Sequence, residues 1–202
     1  MTVLSPPLFT LRIPESWFEF DVWRATRTGD LSRLVDRRLT ELPELRPHRC
    51  AILRGLRDLA AEAERAGAVY CAAAADDVGG DRALLASLMV FTTAGMPEPG
   101  LNTVEAIAAQ IPAVSRSETT LEWREVRLLE FGAGRAVRVR GVTVLPPSVP
   151  LVSMQTLVPV PDSEAVLNVV LTSPQAALAE PLLGLFDEIS STLAWRPGLS
   201  PH

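Results

Sequence analysis

The sequence predicts an α+β fold: a single antiparallel sheet of six to eight strands flanked by helices. Three observations predict it. From Thr119 to Thr172 the chain reads as four strands separated by short turn clusters, which implies an antiparallel meander. Helical stripes lie between Asp30 and Gly67, and another follows the meander. Strands come in runs instead of alternating one for one with helices, which points away from a parallel nucleotide-binding sheet. At 202 residues, 48% hydrophobic and 21% charged, the chain suits one domain over residues 1–195, with Arg196 to His202 a flexible tail.

The elements follow in order. Leu8 to Ile13 is an apolar segment, and in Trp17 to Trp23 the alternation sets Phe18, Phe20 and Val22 on one side of a strand. Asp30 caps a helix carrying Leu31, Leu34, Val35, Leu39 and Leu42, and Pro43 ends it. Pro47 suits the first turn of a second helix, whose stripe is Ile52, Leu56, Leu59 and Ala63 and whose stop is Gly67. Ala68 to Ala75, a turn at Asp76 to Asp81, and Ala83 to Thr93 read as strand, turn, strand. Asn102 with Glu105 resembles a capping box for a short helix ending near Gln110. The meander strands are Thr119 to Glu130, Arg135 to Leu145, Leu151 to Val160 and Ala165 to Thr172, and a helix from Pro181 to about Leu193 buries Leu182, Leu185, Phe186, Ile189 and Leu193.

The residue inventory excludes several chemistries. There is no lysine among the 19 basic residues, so no Schiff-base lysine, Walker-type phosphate loop or Ser-Lys dyad can be built. Arginine does not replace it, because its guanidinium stays protonated. A net charge of −5 argues against general nucleic-acid binding. No apolar run reaches the length of a membrane span and no signal-peptide pattern opens the chain, so no membrane insertion and a cytoplasmic location are expected. An arginine-only basic set fits the drift of a GC-rich genome.

His48 and Cys50 stand about 200° apart on a helix and do not face each other. Cys50 and Cys71 are expected to be reduced, buried thiols. Asp76, Asp77 and Asp81 lack the ordered ligand set of a calcium loop, and no histidine–cysteine spacing fits zinc, so neither metal nor cofactor is expected. Gly132-Ala133-Gly134 joins two strands and is a hairpin turn without the helix N-terminus of a phosphate cradle. No serine lies in a nucleophile elbow.

The strands around that turn hold the best surface candidate. If Leu128 pairs with Val137 and Val126 with Val139, the alternation throws Trp123, Glu125, Arg127, Arg138 and Arg140 onto the opposite face. Tryptophan and arginine are the residue types enriched at binding hot spots. Trp123, Arg127, Arg138 and Arg140 are therefore the expected binding residues, with Arg138 and Arg140 read as exposed and nearly silent in stability.

The opening Ile13-Pro14-Glu15-Ser16-Trp17, the long meander, and Leu167-Asn168-Val169-Val170-Leu171-Thr172-Ser173-Pro174 leading into a helix ending Ile189-Ser190-Ser191-Thr192-Leu193 resemble the Mog1/PsbP superfamily, including the LpqN-like proteins of actinobacteria. The resemblance spans most of the chain as a layout. It implies an α/β/α sandwich in a family that mostly binds other proteins and lacks a shared catalytic site. The expected function is accordingly that of a non-enzymatic accessory protein recognising a protein partner by a sheet face or edge, with homodimer formation left open. The alternative is a small-molecule binder, or an enzyme built on carboxylates and arginines, with a pocket between sheet and helices.

Overall fold

The computed structural model describes residues 9–22, 29–77, 83–96, 98, 101–117 and 120–196. In chain order the strands are β1 (Phe9–Thr10), β2 (Phe18–Glu19), β3 (Tyr70–Asp77), β4 (Ala83–Ala94), β5 (Trp123–Phe131), β6 (Gly134–Leu145), β7 (Val149–Pro159), β8 (Ala165–Ser173) and β9 (Ala194–Trp195). The α-helices are α1 (Asp30–Glu41), α2 (Arg49–Ala66), α3 (Val104–Ala109) and α4 (Ala179–Ser191). Seven strands make one sheet in the order β2-β3-β4-β8-β7-β6-β5, and every neighbouring pair is antiparallel. β1 and β9 form a separate two-stranded ribbon. The fold is α+β, as the sequence predicts.

Side-chain alternation distributes the layers. On one side of the sheet Ala72, Leu88, Val90, Val152, Met154, Val169 and Leu171 pack under α4, whose Leu182, Leu183, Phe186 and Ile189 are buried against them. On the other side two helical patches divide the surface. α1 and α2 cover Cys71, Ala73 and Ala75 near the β2 edge, where the alanines give the helices a close approach. The short α3 covers Val137 and Val139 near the β5 edge. Phe18, Phe20 and Val22 are all buried in the α1–α2 patch, as their alternation requires, and Trp23 lies outside the described residues.

Several element ends follow from local chemistry. Gly67 closes α2 with φ 73°, the left-handed conformation that a side chain resists, and the Ala68 N–H returns to the Ala63 carbonyl at 2.8 Å. The N-cap of α3 is Thr103, whose side chain accepts from the Ala106 N–H at 3.2 Å. Asn102 is not the expected cap; it is buried one residue earlier and bonds other backbone, while Glu105 pairs Arg135 at 2.5 Å.

The thiol expectation is half corrected. Cys71 is buried on β3, and burial pushes its thiol up to about 12, whereas Cys50 is exposed. The reason is helical phase: α2 buries Ile52, Leu53, Leu56, Ala60 and Ala63, and position 50 falls off that stripe. A colourimetric thiol reagent should therefore titrate one equivalent at once on the native protein and the second only in denaturant. Two fast equivalents would contradict the burial of Cys71. The loop centred on Asp81 and the tail from Pro197 lie outside the described residues, and among the described residues no cluster of three metal-ligating side chains occurs.

Candidate functional site

β5 and β6 pair in the expected register, Leu128 opposite Val137 and Val126 opposite Val139. Trp123, Glu125, Arg127, Arg138 and Arg140 therefore share one side of the sheet. That side is the one α4 covers, and this changes the status of Arg138. It is 5% exposed, bonded through Nη1 to Asp187 of α4 and at 3.4 Å through Nε to Thr156. Its Nη2 is buried without a hydrogen-bond partner. Burial, with Arg140 nearby, pushes its guanidinium down to about 10. Arg138 is thus a packed side chain, and the expectation of an exposed binding arginine there is corrected. Asp187 itself stays exposed on α4 while its carboxylate meets the buried guanidinium.

A stability consequence follows. A buried charge with one idle donor contributes little beyond its packing, so Arg138→Met should stay within about 1 kcal/mol of the parent. Arg138→Ala, which leaves a gap under α4, should cost about 2 kcal/mol. Urea unfolding distinguishes the two, and equal losses would mean that the ion pair itself stabilises the fold.

The other candidates do come together. Glu125 accepts from Arg140 Nε at 2.8 Å and from Arg127 Nε at 2.6 Å, and these bonds, Arg140's first, hold its carboxyl below the usual carboxylate range. Arg116, from the segment after α3, lies over the Trp123 ring at 3.8 Å and reaches Glu180 in the first turn of α4 at 2.5 Å. Around Trp123, Glu125, Arg127 and Arg140, with Arg116 and Arg124, the surface forms an open cleft of about 480 Å³. Arg116 and Arg124 were missed by the sequence reading. Arg116 sits in irregular chain, and Arg124 alternates to the opposite side of the strand; both join the cleft because it wraps around the sheet edge.

That edge is the second component of the site. The Val114 N–H donates to the Arg124 carbonyl at 2.9 Å, and the Arg124 N–H to the Val114 carbonyl at 2.8 Å. In an antiparallel ladder outward-pointing groups recur at every second residue, so Val126, Leu128 and Glu130 also direct theirs outward. Continuing the Val114 pairing would place Pro112 opposite Val126, and proline has no N–H to donate. Among the described residues no strand pairs with β5 on that side beyond this bridge. Leu128, 46% exposed, marks the open stretch.

A separate groove of about 190 Å³ lies between α2 and the sheet, lined by residues such as Ile52, Gly55, Leu59, Ala73, Leu85 and Thr172. None of its lining side chains is ionisable.

No protein-family model and no curated protein matches the chain. Among solved structures, the chain is similar to LpqN of Mycobacterium tuberculosis, described as involved in cell envelope biogenesis, at 11% identity and a TM-score of 0.47, over 94% of this chain and 83% of that one. The likeness is one of coarse layout. No helix among the described residues is long and apolar enough to cross a membrane.

Proposed function

We propose that the protein is a non-enzymatic binding or accessory protein that recognises a protein partner through the β5 edge and the tryptophan–arginine surface beside it. The observation that carries this reading is the open backbone of Val126, Leu128 and Glu130, next to a cleft containing Trp123, Arg127 and Arg140. Exposed edges are normally blunted or covered, because unpaired N–H and C=O groups invite another chain. An edge left open beside residue types favoured at interfaces suits strand addition by a partner. The groove under α2 offers apolar contact without an acid, a base or a guanidinium, and so gives no support to carboxylate-arginine chemistry at that place. Assignment to the Mog1/PsbP superfamily forms part of the proposal, resting on the Ile13 to Trp17 and Leu167 to Pro174 segments. So does a reducing, cytoplasmic location, which suits the unpaired Cys50 and Cys71.

The test compares the immobilised protein with an Arg127→Glu/Leu128→Lys double variant of matched melting temperature, each exposed to lysate of the source organism. Proteins retained by the parent and lost from the variant, identified by mass spectrometry, would support the edge. Identical retained sets would remove β5 from the function.

A further inference from the structure

We infer that the occupant of the β5 edge is an extended segment of another protein in which apolar and acidic side chains alternate, added antiparallel as an eighth strand to the seven-stranded sheet. The inference rests on the edge reading above and names the chemistry of the partner. An added strand sends successive side chains to opposite sides of the sheet, so its two sets meet different neighbours. On the α3 side it lies against Val126 and the half-exposed Leu128, which favours apolar residues. On the α4 side it lies against Arg127, whose side chain is 58% exposed, with Arg140 on the next strand.

The charge on that side is positive in spite of the chain as a whole. Three guanidiniums, of Arg116, Arg127 and Arg140, stand on that side of the cleft, and Arg124 lines it from the opposite side of the strand. The carboxylates they meet are Glu125, already held by Arg140 and Arg127, and Glu180, held by Arg116. With a formal net charge of −5 over the chain, this local excess selects an acidic partner from among extended segments. A second copy is disfavoured by the same arrangement. Two β5 edges related by a two-fold axis would bring the two arginine groups towards each other, and like charges across strands destabilise the pairing. The bridge at Val114 shows the pairing geometry that the edge accepts, and among the described residues no ladder pairing continues beyond it.

The probe is a fluorescently labelled, capped octapeptide of alternating glutamate and valine, used at neutral pH with the full-length protein and followed by anisotropy. Its binding should be at least tenfold tighter than that of the matching lysine–valine peptide and should weaken with added salt. N-methylation of every second peptide nitrogen, in the phase that faces β5, should abolish it, because the ladder bonds are then removed with charge unchanged. Arg127→Glu should reduce affinity at least tenfold; if that variant fails to fold, the peptide series on the parent protein decides alone. Equal binding of the two charge types, indifference to N-methylation in both phases, or no binding at all would each overturn the inference. Loss of lysate partners from the β5 double variant, together with no peptide binding, would leave the edge reading standing and remove the acidic strand. A dimer in sedimentation equilibrium that Leu128→Lys disperses would overturn it in favour of a second copy.

Discussion

Replacing Asn102 by alanine is expected to lower the free energy of unfolding by about 3 kcal/mol and the melting temperature by about 6–12 °C. The side chain is buried where the β4–β8 ladder ends, just past the Ala94–Ala165 pair and beside the Gly95 N–H that donates to the Glu164 carbonyl at 2.7 Å. Its Oδ1 accepts from the Met96 N–H at 2.6 Å, and its Nδ2 donates to the Met96 carbonyl at 3.1 Å and the Glu164 carbonyl at 3.2 Å. One amide therefore ties the exit of β4 to the turn before β8. Gly95 allows the approach, since a Cβ there would collide with the Asn102 side chain and lie 2.7 Å from the Glu164 carbonyl oxygen. Alanine leaves the Met96 N–H and carbonyl without these partners in a partly buried site, while the Glu164 carbonyl keeps the Gly95 N–H at 2.7 Å, and an unmade buried hydrogen bond costs more than a made one contributes. Asn102→Asp should be no better, because a carboxylate cannot donate to the two carbonyls. Urea unfolding measures both, and a loss below 1 kcal/mol for Asn102→Ala would show that water replaces the amide.

Gly141→Ala is the second large effect, about 2–3 kcal/mol, from overpacking against backbone that cannot rotate away. Gly141 stands opposite Arg124 in the ladder, and an added Cβ would collide with the Trp123 carbonyl oxygen and come within 3.1 Å of the Arg124 Cα. The first residues of β5 must shift outward. Amide exchange should therefore quicken in residues 123–126 while β3, β4 and β8 keep their protection, because those strands lie at the far side of the sheet. Uniform loss of protection, or none, would contradict a local collision. Any partner held at the edge should be lost with it.

What the sequence disclosed depended on how local the cause was. The β5–β6 register was legible because a tight turn fixes it and because a one-residue slip would invert every side chain in Val126, Leu128, Val137 and Val139. The α1 and α2 stripes were legible from their period, as was the stop at Gly67. The covering of Arg138 was not, since alternation names the side of the sheet and only the packing of α4 says which side is dry. The same holds for the ribbon of Phe9 with Trp195, whose partners are far apart in the chain, and for Trp195 Nε1 donating to the Ala133 carbonyl at 2.8 Å. Asn102 and Thr103 both suit a helix start, and choosing between them required knowing that Met96 and Glu164 would converge on the first. Of the cleft, Trp123, Glu125, Arg127 and Arg140 were readable; Arg116 was not, because its position depends on a stacking contact made after an irregular segment, nor was Arg124, which alternates to the opposite side of the strand.

The pairing of β4 with β8 at the centre of the sheet also sets a schedule for synthesis. β3 can zip onto β4 as soon as both have left the ribosome, and β5 to β8 can form their meander in the same local way. Among the described strands, the Ser87–Ala94 to Ala165–Thr172 ladder is what pairs the two halves. At about 5–20 residues per second, the roughly 70 residues separating β4 from β8 take about 4–14 s to translate. Throughout that interval the nascent chain carries a central strand without its β8 partner, and its Leu88 and Val90, buried under α4 in the complete fold, are still uncovered. The newborn polypeptide is therefore expected to need that strand edge shielded until β8 has been made.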